Sequence, residues 1–131
     1  MKTINFILAV ATVISFLGCA KDPKSVSLIS DKTTVNKGET ATLTLKWEGG
    51  AKWTDLYIKA PGSQEYKQGP GTNASYYEGT LDWPLNNYFD STGVYGFYCI
   101  IYDCQSKPSK GEKYKECKGQ TKSNEVLITV N

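Results

Sequence analysis

From Ala41 to Trp47 the chain reads ATLTLKW, with Ala41, Leu43, Leu45 and Trp47 on one parity and Thr42, Thr44 and Lys46 on the other. Side chains two apart share a side only in an extended strand, so this run specifies a strand with one face buried and one in water. The alternation returns at 53–59, where Leu56 and Ile58 oppose Trp53, Tyr57 and Lys59. It returns at 76–83, where Tyr77, Gly79, Leu81 and Trp83 oppose Glu78, Thr80 and Asp82, and at 125–130, where Val126, Ile128 and Val130 share a face. Residues 94–102 form a further strand, 26–29 and 33–35 two short ones, and QEYKQ (64–68) a short edge strand. NKGE, EGGAK and APGS are turn chemistry, GPGTN (69–73) reads as a loop, and PLNNYFDST as a loop or helical turn. About seven short strands without a convincing helix predict an all-β sandwich or barrel, and 131 residues suit one domain.

The N-terminus has a different character. MKTIN carries one positive side chain, and FILAVATVISFL (6–17) follows before Gly18-Cys19. That run is short of the ~20 apolar residues a membrane span needs and has the layout of a secretory signal. Its ending, FLGCAK, resembles a bacterial lipoprotein signal, which implies cleavage after residue 18 and acylation of Cys19. A plain signal cut elsewhere, with Cys19 incidental, is the alternative. Acyl chains stabilise membrane attachment by ~0.8 kcal/mol per methylene, so Cys19 would tie the protein to a lipid bilayer. The tether that follows, 20–25, reaches only about 20 Å when stretched. The expected organisation is therefore a signal peptide over 1–18, a lipidated Cys19 with its tether over 19–25, and a folded domain over 26–131. The expected place is the bacterial cell envelope. Ala20 lacks the aspartate that resembles an inner-membrane retention signal, which favours the outer membrane if the host has one.

Within 26–131 a second resemblance appears. STGVYGF (91–97) looks like the approach to the second core cysteine of immunoglobulin-fold domains, with Tyr95 as the corner tyrosine. NKGETATLTLKW (36–47) is similar to the second strand of bacterial immunoglobulin-like domains, and SNEVLITV (123–130) to their last. The resemblance implies an immunoglobulin-like antiparallel β-sandwich of about seven strands. Leu43 or Leu45, and Phe97, stand where the family's core cysteines would, and Trp53 has the opposite parity from Leu56 and Ile58.

Export implies an oxidising compartment, in which Cys99, Cys104 and Cys117 can make one bridge and leave one thiol over. Cys99 has the inward parity of its strand and reads as a small buried apolar group. Cys104 and Cys117 stand at the base of a lysine-rich arm, residues 107–122, and are the expected pair; Cys99 is the alternative partner. The arm holds Lys107, Lys110, Lys113, Lys115, Lys118 and Lys122 against Glu112 and Glu116. It reads either as a solvated loop or as a surface turned, with Lys21 and Lys24, toward an anionic membrane.

Two aromatic groupings are candidate binding surfaces. Trp53, Tyr57, Tyr98, Ile100, Tyr102 and Leu127 share an outward parity and would form a protein-binding stripe, unless the chain's own arm or an edge segment covers it. Trp83, Tyr88 and Phe89, in WPLNNYF, would offer a stacking platform for a sugar, or else plug one end of the sandwich. Composition argues against other classes. The chain has no His and no Arg, so the commonest general acid/base and metal ligand are missing, and nucleic acid is not an expected partner. No phosphate-binding loop or metal-ligand spacing is present, and no cofactor, metal or catalytic residue is assigned. The expected function is a non-catalytic binding module for a protein partner, acting in adhesion, envelope assembly or inhibition. A carbohydrate-binding module is the alternative, and a carboxylate-based hydrolase the remote one.

Overall fold

A computed structural model describes residues 25–51, 53–74, 77, 79–104 and 117–131, with only the backbone of 103–104 and 117–119. The signal peptide, Cys19, the tether up to residue 24 and most of the lysine-rich arm (105–116) lie outside the described residues.

The described chain is all-β, with nine strands: β1 (Ser25–Ser30), β2 (Thr34–Val35), β3 (Thr42–Glu48), β4 (Trp53–Lys59), β5 (Lys67–Asn73), β6 (Thr80–Pro84), β7 (Gly93–Cys104), β8 (Cys117–Lys122) and β9 (Val126–Val130). They form a sandwich of two sheets, β1-β3-β6 and β2-β9-β7-β4-β5, with β8 pairing the far half of β7. All pairings are antiparallel except β2 with β9. No helix among the described residues is long and apolar enough to cross a membrane.

Inward parity fills the core. Leu43, Leu45 and Trp47 of β3 meet Leu56 of β4, Tyr95, Phe97, Cys99 and Ile101 of β7, and Ile128 and Val130 of β9. Leu43, Leu45 and Phe97 are wholly buried, each worth ~1.5–3 kcal/mol of transfer free energy. Trp47, not Trp53, is the tryptophan of the core. Phe89 packs edge-on against Tyr95 and Phe97, with centroids 5.3 and 6.2 Å away. Just above, the Tyr95 hydroxyl donates to Asp90 Oδ1 (3.1 Å) and accepts from the Ser91 amide (3.2 Å), fixing the turn into β7.

Three elements differ from expectation. GPGTN is strand, not loop: β5 runs through it at the sheet edge, where Pro70 leaves no ladder partner stranded. Gly69 and Gly71 are needed there, because side chains would crowd Ile58 on one and Trp53 on the other. The strand placed at 76–83 begins only at Thr80, leaving Tyr77 in the connection from one sheet to the other. The end of the lysine-rich arm, 117–122, is strand β8.

β8 and β9 continue one another along β7 but are out of step by one residue. Phe97 faces Val126, whereas Ile100 faces Lys122. At the break, the Ser123 amide donates to the Cys99 carbonyl (2.8 Å), and the Ser123 hydroxyl accepts from the Cys99 amide (2.9 Å). The extra residue, Asn124, turns to the other sheet, where its amide oxygen accepts from Leu28 N–H (2.8 Å) and its nitrogen donates to the Leu28 carbonyl (2.9 Å). A bulge thus ties β1 to the opposite sheet and closes one side of the sandwich.

Candidate functional site

The candidate site is the outer face of the larger sheet. On β4, β7 and β9 the register sets Tyr57 opposite Tyr98, Trp53 opposite Tyr102, Asp55 opposite Ile100 and Leu127 opposite Gly96. All six residues of the expected protein-binding stripe therefore lie on one face. Their exposure is graded. Leu127 is 50 % exposed, Trp53, Tyr57, Tyr98 and Ile100 are half-buried, and Tyr102 is only 4 % exposed. Tyr102 is thus a support of the face rather than a contact residue. Its hydroxyl hydrogen-bonds Tyr57, and Asp55 lies nearby.

Stacking organises the centre. Tyr57 and Tyr98 lie nearly parallel, with centroids 4.9 Å apart and planes 8° off. Tyr66, at the entry to β5, tilts onto Tyr98 at 4.5 Å and lies across Gly96. Its hydroxyl donates to the Glu125 carboxylate, so one side chain spans the sheet from β5 to the foot of β9. Lys122 Nζ sits 4.1 Å from the Tyr98 centroid and Lys59 Nζ 5.0 Å from that of Tyr66. Both are cation–π distances.

Asp55 is 0 % exposed although its parity is outward. Its oxygens accept from Trp53 Nε1 (2.9 Å) and Gln68 Nε2 (3.3 Å), which makes burial of the carboxyl tolerable. Burial, followed by the Glu125 hydrogen bond, pushes the Tyr66 phenol up from its ordinary range. Burial and the Tyr57 hydrogen bond do the same to Tyr102, and burial with Tyr57 beside it to Tyr98. All three phenols are held protonated at physiological pH.

The parity of 53–59 could have revealed Asp55, which shares it with Trp53 and Tyr57. Lys59 shares that parity too, and Glu125 shares that of Leu127. Tyr66, Gln68 and Lys122 join the face by reaching across strands or through the bulge, and no periodic signal carries that.

The expected sugar platform is not brought together. Phe89 is 1 % exposed and belongs to the core, where Tyr95 and Phe97 hold it, while Tyr88 and Trp83 are half-buried against the core edge. Trp83 instead lines a cleft with Tyr77.

Cys99 is free and buried, its thiol pushed up to about 12 by burial and by Asp55 against a smaller opposing effect of Thr54. The Thr54 hydroxyl is itself buried, and apart from this weak interaction with the Cys99 thiol it has no hydrogen-bond partner in the described structure. Cys104 and Cys117 are direct backbone partners across β7 and β8, and their side chains lie outside the described residues. Among the described residues no three of His, Cys, Asp and Glu are grouped to hold a metal. No protein-family model matches the chain, and no curated protein matches it in sequence.

Proposed function

We propose that this chain is an exported, membrane-anchored lipoprotein whose sandwich is immunoglobulin-like and serves as a non-catalytic binding module for a protein partner. The anchor rests on the FLGCAK resemblance at Cys19, and places the domain in the cell envelope. The immunoglobulin-like reading is supported by the Tyr95 corner and by a first strand divided between sheets, β1 pairing with β3 and β2 with β9.

The observation that carries the binding role is the Tyr57–Tyr98 stack, bordered by Tyr66, Lys59 and Lys122 on an outward sheet face. Tyrosines of this kind offer large, stiff, amphipathic contact area with little entropy left to lose. Here the stack, the hydrogen bond to Glu125 and the cation contacts have already immobilised them. A photo-crosslinking amino acid replacing Tyr98, or Leu127 beside it, should trap a discrete protein adduct in intact cells. The same group replacing Lys46, exposed on the other sheet, should trap none. Equal labelling from both sheets, or none from either, would argue against this face.

A further inference from the structure

Strand β7 is the midline of the outer face. The residues it turns outward there, Val94, Gly96, Tyr98 and Ile100, carry no charge, and Val94 is 47 % exposed. Charge stands on either flank. On β4, Lys59 lies opposite Gly96 and Asp55 opposite Ile100. On the other flank Lys122 lies opposite Ile100, and Glu125 stands beside Tyr98, next to Val126, the partner of Phe97. Followed from Gly96 toward Ile100, the β4 flank is positive then negative, and the other flank is negative then positive. We propose that this face binds a second copy of the same chain, about a two-fold axis running along β7. The inference rests on the reading of the face as a protein-binding surface and names the partner.

Half a turn about such an axis keeps position along the strand and exchanges the flanks. It sets Lys59 of each copy near Glu125 of the other, brings Lys122 over Asp55, and lays the uncharged row of β7 on its own image. A two-fold interface requires one patch to complement itself in this way. The groups suit their roles. Among the described residues both lysines rest on tyrosine rings, and neither has a carboxylate partner. Glu125 accepts from the neutral Tyr66 hydroxyl and keeps its charge. Asp55 is buried beneath Trp53 and Gln68, so it acts on Lys122 through its charge and not by contact. Packed sheets cross at about 30°, so each β7 is inclined to the axis by about half of that.

The direction of the axis has a second support. Ser25, the first residue of β1, faces Glu48 at the end of β3, so the chain enters the sandwich at one end of its strands. An axis along the strands turns that end of both copies the same way. Residues 20–25 reach about 20 Å at most, and two copies so arranged can be anchored in one bilayer. An axis across the strands at Tyr98 would send the two entry points apart and set Glu125 against its own image.

The test is sedimentation equilibrium of the full chain in non-ionic detergent, which should show a concentration-dependent dimer. Lys59→Glu and Glu125→Lys should each weaken it about tenfold or more, because each sets like charges face to face twice. Mixed in equal amounts, these two variants should dimerise again, since every such contact then joins opposite charges. Val94→Asp, at an exposed position on the axis, should also give monomer, with an unchanged far-ultraviolet circular dichroism spectrum. A parent that is monomeric at every concentration, a dimer indifferent to all three substitutions, or charge variants that stay monomeric when mixed overturns the second copy. In that event a Tyr98 crosslinker that traps a different protein preserves the binding face, and one that traps nothing removes both.

Discussion

A methyl group on Gly71 would run into the Asp55 carboxylate and come within 2.9 Å of Trp53 Nε1. The position therefore decides between two opposing effects. Alanine in place of glycine within a strand ordinarily stabilises by ~0.5–1 kcal/mol through backbone entropy. Overpacking costs ~1–3 kcal/mol, and here it falls on a buried carboxylate that has no freedom to move without losing Trp53 or Gln68. The collision is the larger effect. Gly71→Ala should destabilise the fold by a net ~1–2 kcal/mol, read as a lower urea midpoint at unchanged slope, and shift Trp53 fluorescence as its N–H loses Asp55. A variant as stable as the parent would mean that Asp55 does not hold this network. Gly96 is constrained in the same way from the other side, since a Cβ there would press on the Tyr66 ring.

Strand by strand, the reach of sequence reasoning follows the periodicity. β3, β4 and β9 were readable because their neighbours leave one face in the core and one outside, so parity alone assigns Leu43, Leu56 and Ile128. β5 was not readable, because KQGPGTN carries turn chemistry whose glycines are required by Ile58, Asp55 and Trp53, residues distant in sequence. Nor was the outward position of Lys122. From β9 the odd residues face out, and only the bulge at Ser123-Asn124 reverses parity so that Lys122 lands on Tyr98. The candidate site divides likewise: the stripe on β4 and β7 follows from alternation, and the spanning Tyr66 does not. The far half of β7 yields the element-level prediction. Cys104 and Cys117 are register partners, and antiparallel partners lie about 4.5–5.5 Å apart at Cα, within disulfide range. Cys99 is in the core and could bridge only if the sandwich opened. Peptide mapping without reductant should therefore link Cys104 to Cys117, with Cys99 alkylated only after denaturation. The bridge should contribute about 3 kcal/mol by the chain-entropy argument, since it closes a loop of 14 residues, 104–117. Any peptide joining Cys99 to either cysteine would refute this pairing.

At the scale of the whole sandwich, the outer face and the core share one pH dependence. Tyr66, Tyr98 and Tyr102 are all raised, chiefly by burial, and Cys99 is raised to about 12 by the same cause. In the unfolded chain these phenols ionise near their ordinary value of about 10 and the thiol at about 8.5. Each group is a weak acid whose folded pKa exceeds its unfolded one. Its contribution to stability is therefore complete below the unfolded value and is lost as pH climbs through the folded value, because the unfolded chain releases its proton first. The urea midpoint should accordingly be level from neutrality to about pH 8, decline gently as the unfolded thiol ionises, and fall more steeply above about pH 10 as the three phenols join it. Cys99→Ala should remove the early decline. Replacing Tyr66 and Tyr98 with Phe should flatten the later fall, because each Phe keeps the ring contacts and cannot ionise. The Phe variant keeps every other group of the parent, so the difference between the two curves isolates the phenols. Identical slopes for parent and variant above about pH 10 would mean that the tyrosine face is open to water and not the desolvated, preorganised surface that a protein partner would meet.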